Sequence, residues 1–355
     1  MRIVMDGTPL SVSSGGIARY TAELSRALAE RYPGDWYWLA ADQPFALPAS
    51  EGGNLCTGRR PRSFLGRRWW SLGLPGELLR LRADVFHGTD FAVPYLPLRP
   101  SVMTVHDLSP WLSPEWHHAA ERVRQRTPVL LKLGLATMVI TPSETIRRAV
   151  IDRFQLPASR VAAAPLAASA CFRPSAPAAP AKPYFLYVGV LEPRKNIPLI
   201  LEAWRQVRRR HPVDLILAGR RREDFDAPVA EEGLRLAGEV AEAELPALYS
   251  GAVAVLYPSH YEGFGLPVVE AMRCGAAVFA SLDPAVAEVA GDAALRLDAR
   301  RPDPWIQAME AALTQPDWLG ELREGSLRRG REFSWKRTAE RTREVYAEAI
   351  ARFGA

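Results

Sequence analysis

AVAVLYPSHYEGFGLPVVEAMRCG, residues 252–275, holds an apolar run, a glycine turn and a helical pattern in one short stretch. Ala252 to Tyr257 has the length and composition of a strand and is ended by Pro258 and Ser259. Gly263 and Gly265 then make the backbone permissive. Pro267 suits the first turn of a helix, where a missing N–H costs little. That helix, roughly 266 to 273, stops at Gly275. A strand, a glycine turn and a helix N-terminus together form an arrangement that binds phosphate. Two glutamates flank the turn. If the N–H groups of Gly263, Phe264, Gly265 and Leu266 cap a phosphate, Glu270 lies about one turn in, roughly 5–6 Å along the axis. A carboxylate there accepts from ribose hydroxyls. Glu262, on the strand side, faces the group at the other end of the phosphate. The pair suits a nucleotide with a polyhydroxylated passenger.

The same rhythm runs outward in both directions. Strands at 184–188, 213–218, 252–257 and 276–280 alternate with helical patterns, the first of them from Asn196 to Arg210. Before them, strands at 2–5, 36–40, 102–105 and 136–140, and one ending near His87, alternate with helices from Ile17 to Glu30 and from Glu144 to Phe154. Repeated βαβ units imply an α/β protein with two doubly wound parallel sheets. The seam is SAPAAPAKP, 175–183, which has regular prolines and no apolar period. The expected domains are therefore 1–174 and 184–334, joined by that linker. An amphipathic C-terminal helix at about 335–355, with Trp335, Val345, Tyr346 and Ile350, packs back onto the first. Ligands of such sheets sit beyond the carboxyl ends of the strands, and with two domains the natural place is the cleft between them.

Bulk properties agree with this plan. A chain of 355 residues exceeds what one core usually fills. Its 48% apolar and 24% charged content is that of a globular protein, and no apolar run approaches the roughly 20 residues of a membrane span. The start, MRIVMDGTPL, is too short and polar for a secretory signal. Three cysteines lie far apart, without zinc or disulfide spacing, which fits a reducing cytoplasm. Charge is uneven: residues 1–180 carry 21 Lys and Arg against 14 Asp and Glu, whereas the rest carry 24 against 26. A basic half suits a phosphorylated ligand or an anionic membrane surface. Nucleic acid is excluded as a partner, since only four cations are lysines and no nucleic-acid motif is present.

Three further stretches carry candidate chemistry. In YFLYVGVLEPRKNI, 184–197, the strand ends at Gly189, and Arg194 and Lys195 stand at the mouth of the next helix. Two cations at a helix N-terminus are unfavourable unless an anion lies between them and the dipole, so a diphosphate is expected there. In SVSSGGIARY, 11–20, Gly15 and Gly16 let N–H groups face an anion, although a plain turn explains them equally. In TVHDLSPW, 104–111, His106 and Asp107 follow a strand end, and HGTDF, 87–91, repeats the pattern with His87 and Asp90. For His87 a structural hydrogen bond is the better reading. Asp224-Phe225-Asp226 has the look of a DxD metal motif, but it follows a charged loop and reads as surface. The segment 59–82, with seven arginines and Trp69-Trp70, fits either an interfacial element or a helix whose tryptophans pack under the domain.

From Glu262 to Glu270 the chain resembles the E-x7-E motif of retaining glycosyltransferases of family 4, which have the GT-B fold. VGVLEPRKN is similar to that family's strand, glycine and Arg-Lys clamp, and SSGGIARY, TVHDL, ITPSE and GEVAEAELPALYSGA fall where the family has its elements. The resemblance implies two Rossmann-like domains facing across a cleft, with the C-terminal helix crossing back. It implies that Arg194, Lys195, Gly189 and the Gly263–Leu266 backbone hold the donor diphosphate, with Gly16 approaching from the first domain. Glu270 would bind the ribose, Glu262 the donor sugar, and His106 the sugar near the reacting carbon. Gly15, His87, Asp90 and Asp107 would meet the acceptor. One departure stands out: many relatives have an Arg directly after the strand's glycine, where this chain has Val190, so charge neutralisation falls on Arg194 and Lys195. The Leu-Glu-Pro-Arg-Lys-Asn sequence resembles a branch of bacterial mannosyl- and rhamnosyltransferases of surface polysaccharide assembly.

The expectation is then a metal-independent transferase without a cofactor. It would move a hexose, mannose from a GDP-sugar first, to a glycan or lipid-linked acceptor in the cytoplasm, at the inner face of the cytoplasmic membrane. UDP- or dTDP-sugars are alternative donors. A 2-epimerase of the same fold, using Asp90 and Glu115, and a non-catalytic nucleotide-binding subunit are rivals. Both glutamates and both cations are retained, which argues against the last.

Overall fold

The structure, a computed structural model, describes residues 1–12, 15–61, 63–113, 116, 120–176, 182–223, 225–226, 228–229 and 231–353. The chain forms two compact units, Met1–Leu166 with Trp335–Ala355, and Ala167–Ser334.

In the first unit the strands are β1 (Arg2–Asp6), β2 (Trp36–Ala40), β3 (Leu55–Thr57), β4 (Val85–Gly88), β5 (Ser101–Thr104), β6 (Met138–Thr141) and β7 (Val161–Ala163). Between them run α1 (Gly16–Arg31), α2 (Ser63–Arg67), α3 (Leu74–Leu81), α4 (Ser109–Leu112), α5 (Glu121–Lys132) and α6 (Glu144–Phe154). All pairings are parallel, in the order β3-β2-β1-β4-β5-β6-β7. Helices cover both faces of such a sheet, so its central strands are apolar throughout: β4, β5 and β6 are buried at every position. Helix α1 lays Tyr20, Leu24 and Leu28, four residues apart, into the core. Ser143 caps α6 by accepting from the N–H of Ile146 at 3.2 Å.

The second unit carries β8 (Tyr184–Val188), β9 (Asp214–Ala218), β10 (Leu234–Gly238), β11 (Val255–Tyr257), β12 (Val278–Ser281) and β13 (Leu295–Leu297), in the order β10-β9-β8-β11-β12-β13. Its helices are α7 (Ile197–Arg208), α8 (Leu245–Gly251), α9 (Leu266–Arg273), α10 (Pro284–Ala290), α11 (Asp303–Thr314) and α12 (Pro316–Gly330). Ile197, Ile200, Leu201, Trp204 and Val207 make the buried stripe of α7, and the Trp204 indole donates to the Val213 carbonyl at 3.1 Å.

The last helix, α13 (Trp335–Arg352), belongs to the first unit. It buries Trp335, Val345, Tyr346 and Ala349 there, and Arg343 reaches Asp35 at 2.7 Å.

One expectation changes, and one open choice closes. The units divide at Leu166, not at 174, because Phe172 is fully buried edge-on against Tyr249 and the N–H of Ser175 donates to Ser250. That anchors the segment after Ala167 in the second unit; residues 177–181 of the expected linker lie outside the described residues. In the arginine-rich stretch, Trp69 is 4% exposed and Trp70 packs edge-on against Phe86, so these tryptophans serve the core. Among the described residues, no helix is long and apolar enough to cross a membrane.

Candidate active site

Strand order reverses direction between β8 and β11, so the loops leaving their carboxyl ends diverge and open a crevice. The loops after β8 and β9 run side by side: Gly189 N–H donates to Ala218, Leu191 to Arg220, and Arg222 back to Leu191. Gly219 makes this possible, since a Cβ there would lie 2.0 Å from the Gly189 carbonyl oxygen. A single 3-10 turn, Pro193–Lys195, follows, and Asn196 closes it in the left-handed region at φ 53°, with its amide on the Ala299 carbonyl at 2.8 Å. This fixed corner aims Arg194 and Lys195.

Both cations end on carboxylates of the protein. Arg194 donates through Nη1 to the Tyr261 carbonyl at 2.7 Å and to Glu262 Oε2 at 3.1 Å, and through Nη2 to Glu192 Oε1 at 2.8 Å. Lys195 Nζ donates to Glu262 Oε1 at 2.5 Å and lies 5.3 Å from the Tyr257 ring centroid. Glu192 Oε2 accepts from Arg222 at 3.1 Å. Glu192, Arg194, Lys195 and Glu262 are each less than a tenth exposed. Burial acts to raise the Glu262 carboxyl, but the Lys195 and Arg194 charges and the Lys195 hydrogen bond pull it down to about 2. Burial and then Arg194 push the Lys195 ammonium down, and Glu262 opposes them. The anion expected for the two cations is thus first of all internal: Glu192 on Arg194, and Glu262 on both.

The segment quoted at the outset begins where Glu262 N–H donates to Asp283 Oδ2 at 3.3 Å. Asp283 also caps α10 through Ala285 and Val286, and burial pushes its carboxyl up to about 6. Gly263 is buried; Phe264, 4% exposed, packs edge-on against Phe333. Gly265, at φ 94°, is the residue before α9, and Leu266 is its first residue. Glu270, 1% exposed, accepts from Tyr249 Oη at 2.9 Å, so any ribose contact shares its carboxylate with Tyr249.

The first unit has its own reversal, between β1 and β4. Asp6 ends β1, 2% exposed, and accepts from the N–H and hydroxyl of Thr8 at 3.0 and 2.6 Å. Burial raises its carboxyl to about 7. Asp90, after β4, has a buried Oδ1 with no partner among the described residues, and burial raises it to about 6. His106 follows β5, partly buried, with Nε2 2.7 Å from the Thr89 carbonyl and its ring edge-on to Tyr20. A carbonyl only accepts, so Nε2 carries the proton and Nδ1 is the ring's acceptor. Burial lowers the His106 pKa. Asp107 accepts from the N–H and hydroxyl of Ser109. Gly15, at φ 136°, precedes α1, and Gly16 opens it; both are exposed.

The acceptor contact implied by the resemblance is corrected at His87, which takes the structural hydrogen bonds its sequence position favoured. It is fully buried, with Nδ1 2.7 Å from Tyr346 Oη and Nε2 2.8 Å from Thr104 Oγ1, and Thr104 is 2.9 Å from Tyr20 Oη. Burial lowers its pKa to about 3. Both ring nitrogens are spent joining α13 to the sheet, so His87 is structural and no acceptor contact. Glu115 and Asp224 lie outside the described residues, and Asp226 is exposed. Sequence reasoning missed Asp6, Glu192 and Asp283. Glu192 stood two places before the named Arg194, and Asp6 closes the first apolar run, inside the quoted MRIVMDGTPL. Among the described residues no group of three or more His, Cys, Asp or Glu is placed to hold a metal.

Comparison with known proteins places this geometry. Residues 14–168 match the model of Glycosyltransferase Family 4, and residues 172–332 that of Glycosyl transferases group 1. The chain is 32% identical to O-antigen chain mannosyltransferase B of Escherichia coli, over 98% of this chain and 99% of that one. Among solved structures it superposes on sucrose-phosphate synthase from Thermosynechococcus elongatus with a TM-score of 0.74 at 19% identity, covering 99% of both chains. It superposes on Anabaena HepE, solved with UDP-glucose, with a TM-score of 0.71 at 17% identity, covering 98% of this chain and 99% of that one. With both halves matched in order and one relative aligned end to end, the chain belongs to glycosyltransferase family 4 and has the GT-B fold.

Proposed function

We propose that this glycosyltransferase moves mannose, or a closely related hexose, from a GDP-sugar to a glycan or lipid-linked acceptor of a bacterial surface polysaccharide. The transfer retains anomeric configuration, needs no metal or other cofactor, and takes place at the inner face of the cytoplasmic membrane. The observation that carries the reading is the 32% identity, along nearly the whole of both chains, with a mannosyltransferase of O-antigen chains. The buried cluster at the carboxyl ends of β8 and β11 supports it, because it combines cations for a diphosphate with a carboxylate for sugar hydroxyls.

In the chemistry that follows, the acceptor hydroxyl attacks the sugar C1 on the face that the diphosphate leaves. The new C1–O bond forms as the C1–phosphate oxygen bond breaks, and the hydroxyl proton passes to the departing diphosphate. Arg194 and Lys195 stabilise the charge that grows on the leaving group, with the amides of Gly263 to Leu266 beside them. Glu262, exchanging its cations for the donor, holds sugar hydroxyls, and Glu270 holds the ribose. His106 offers Nδ1 as an acceptor near the reacting carbon. Asp90, Asp107 and Gly15 orient the acceptor, and Gly16 approaches the phosphate.

The test is calorimetric titration of GDP, UDP and dTDP, without metal, into wild type and Glu270→Ala. GDP alone is expected to bind with a micromolar Kd, and binding is lost in the variant. Preference for UDP or dTDP would reassign the donor, and binding of none would remove the transferase reading in this form.

A further inference from the structure

Glu192 has no place in the mechanism above, yet it is more buried than either cation of the clamp, at 6% exposure against 9% for Arg194 and 8% for Lys195. Burying a carboxylate is costly unless charges and hydrogen bonds compensate it. Its compensation is specific. Oε1 takes Arg194 Nη2 at 2.8 Å and Oε2 takes Arg222 Nη1 at 3.1 Å, so one carboxylate bridges two guanidinium groups from adjacent loops. Arg222 is delivered by the loop after β9, whose backbone is bonded to the Glu192 loop through Leu191.

Resting on the reading of Arg194 as a diphosphate ligand, we infer that Glu192 is a positioning residue that fixes the Arg194 guanidinium and deliberately weakens its hold on the nucleoside diphosphate, so that the product leaves. The two carboxylates on Arg194 differ in what they can do. Glu262 comes from the far loop, binds both cations and is exchangeable for the donor. Glu192 sits two residues before Arg194 on the same short turn, is tied from behind by Arg222, and stays in place when the donor enters. A diphosphate approaching Arg194 therefore always meets a second, fixed anion on that guanidinium. Repulsion between the two lowers affinity for substrate and product alike. Arg222 moderates the effect by drawing part of the Glu192 charge away from the ligand.

This arrangement predicts opposite signs for two neutral substitutions. Glu192→Gln keeps the size and an acceptor oxygen but removes the charge. It is expected to bind GDP about five- to tenfold more tightly than wild type, with kcat lowered by slower product release and by a looser Arg194, and KM for the donor lowered as well. Arg222→Gln leaves the Glu192 charge fully on Arg194 and is expected to bind GDP several-fold more weakly. A merely structural role for Glu192 would weaken binding in both variants. Calorimetric titration of GDP and of inorganic pyrophosphate, with donor KM and kcat measured on the same preparations, decides the matter. The order Glu192→Gln tighter than wild type, and wild type tighter than Arg222→Gln, supports the inference. Unchanged or weaker GDP binding by a folded Glu192→Gln overturns it, and should that variant not fold, wild-type affinity in Arg222→Gln overturns it instead. Failure of wild type to bind any nucleoside diphosphate would be a different result: the functional reading falls, and this inference with it.

Discussion

The two sheets of this molecule reverse direction in the same way, but their reversal points solve opposite electrostatic problems. In the second unit, between β8 and β11, the buried ionisable groups are matched in sign: Arg194 bridges the carboxylates of Glu192 and Glu262, and Lys195 lies on Glu262. In the first, between β1 and β4, Asp6 lies near Asp90 and His87 near His106, and the opposite charges there, Arg126 on Asp90 and Asp107 on His106, do not outweigh burial. Burial then drives each toward its neutral form: the carboxyl groups rise and the imidazoles fall. One topology can therefore present a charged centre or a nearly neutral, hydrogen-bonding one. In the function proposed above, a charged donor and a hydroxyl-bearing acceptor would use these two kinds of surface.

The comparison can be broken most directly at Lys195. Lys195→Ala removes the partner nearest to Glu262 and is expected to lower turnover by about two to three orders of magnitude. It should also cost about 3 kcal/mol of stability, because the Glu262 carboxylate stays buried with Arg194 alone. Near-normal transfer, measured as donor consumption with acceptor present, would show that the charged centre is scaffolding.

The pH response sharpens the contrast further. Asp6 titrates near 3.8 when unfolded and at about 7 when folded, so between those values the folded state holds the proton more tightly. Stability of the first unit is then highest below about pH 4 on this account and falls as pH rises toward 7. At pH 8 Asp6 alone withdraws on the order of 3–4 kcal/mol, and Asp90, at about 6, adds in the same direction. Asp6→Asn keeps the acceptor for Thr8 and is expected to restore that amount at pH 8. Glu262 has the opposite sign: held at about 2, it contributes stability that is complete above pH 4.5 and is lost as pH falls toward 2. Asp283, at about 6, partly offsets it on the alkaline side. Hydrogen exchange of peptides from β1 and β4 against those from β8 and β11, at pH 5 and 8, reads the two trends. Equal protection of β1 at both values would remove the account of Asp6.

The smallest effect is expected at Tyr346. Tyr346→Phe leaves His87 Nδ1 without its 2.7 Å partner and should cost about 1–2 kcal/mol, while GDP affinity stays at the wild-type value. A change in acceptor KM would return His87 to the substrate-binding surface.

What the sequence made legible follows from length and burial. Strands β1, β2 and β8 and helices α6 and α9 stand within a residue of where periodicity puts them. The strands that periodicity does not mark, β3, β7, β10 and β13, are the four edges of the two sheets. Three of them are only three residues long, and β10 is mostly exposed. A strand with neighbours on one side carries too few buried positions to write a pattern. The site was legible where chemistry is local, as in the Arg194-Lys195 pair and the flanking glutamates. It was not legible where partners are remote in sequence: nothing near Glu270 announces Tyr249, and nothing near His87 announces Tyr346, 259 residues away.

That last separation bears on how the chain acquires its shape during synthesis. The first unit is discontinuous, and its closing helix α13 is translated only after the whole of the second unit. Until then the cavity lined by Tyr20, His87 and Thr104 lacks Trp335, Val345 and Tyr346. The half that starts first must therefore finish last. A chain truncated before Trp335 keeps all of the second unit and a first unit with an open core, a state that limited proteolysis of the truncated chain would reveal and that chaperones would have to shelter.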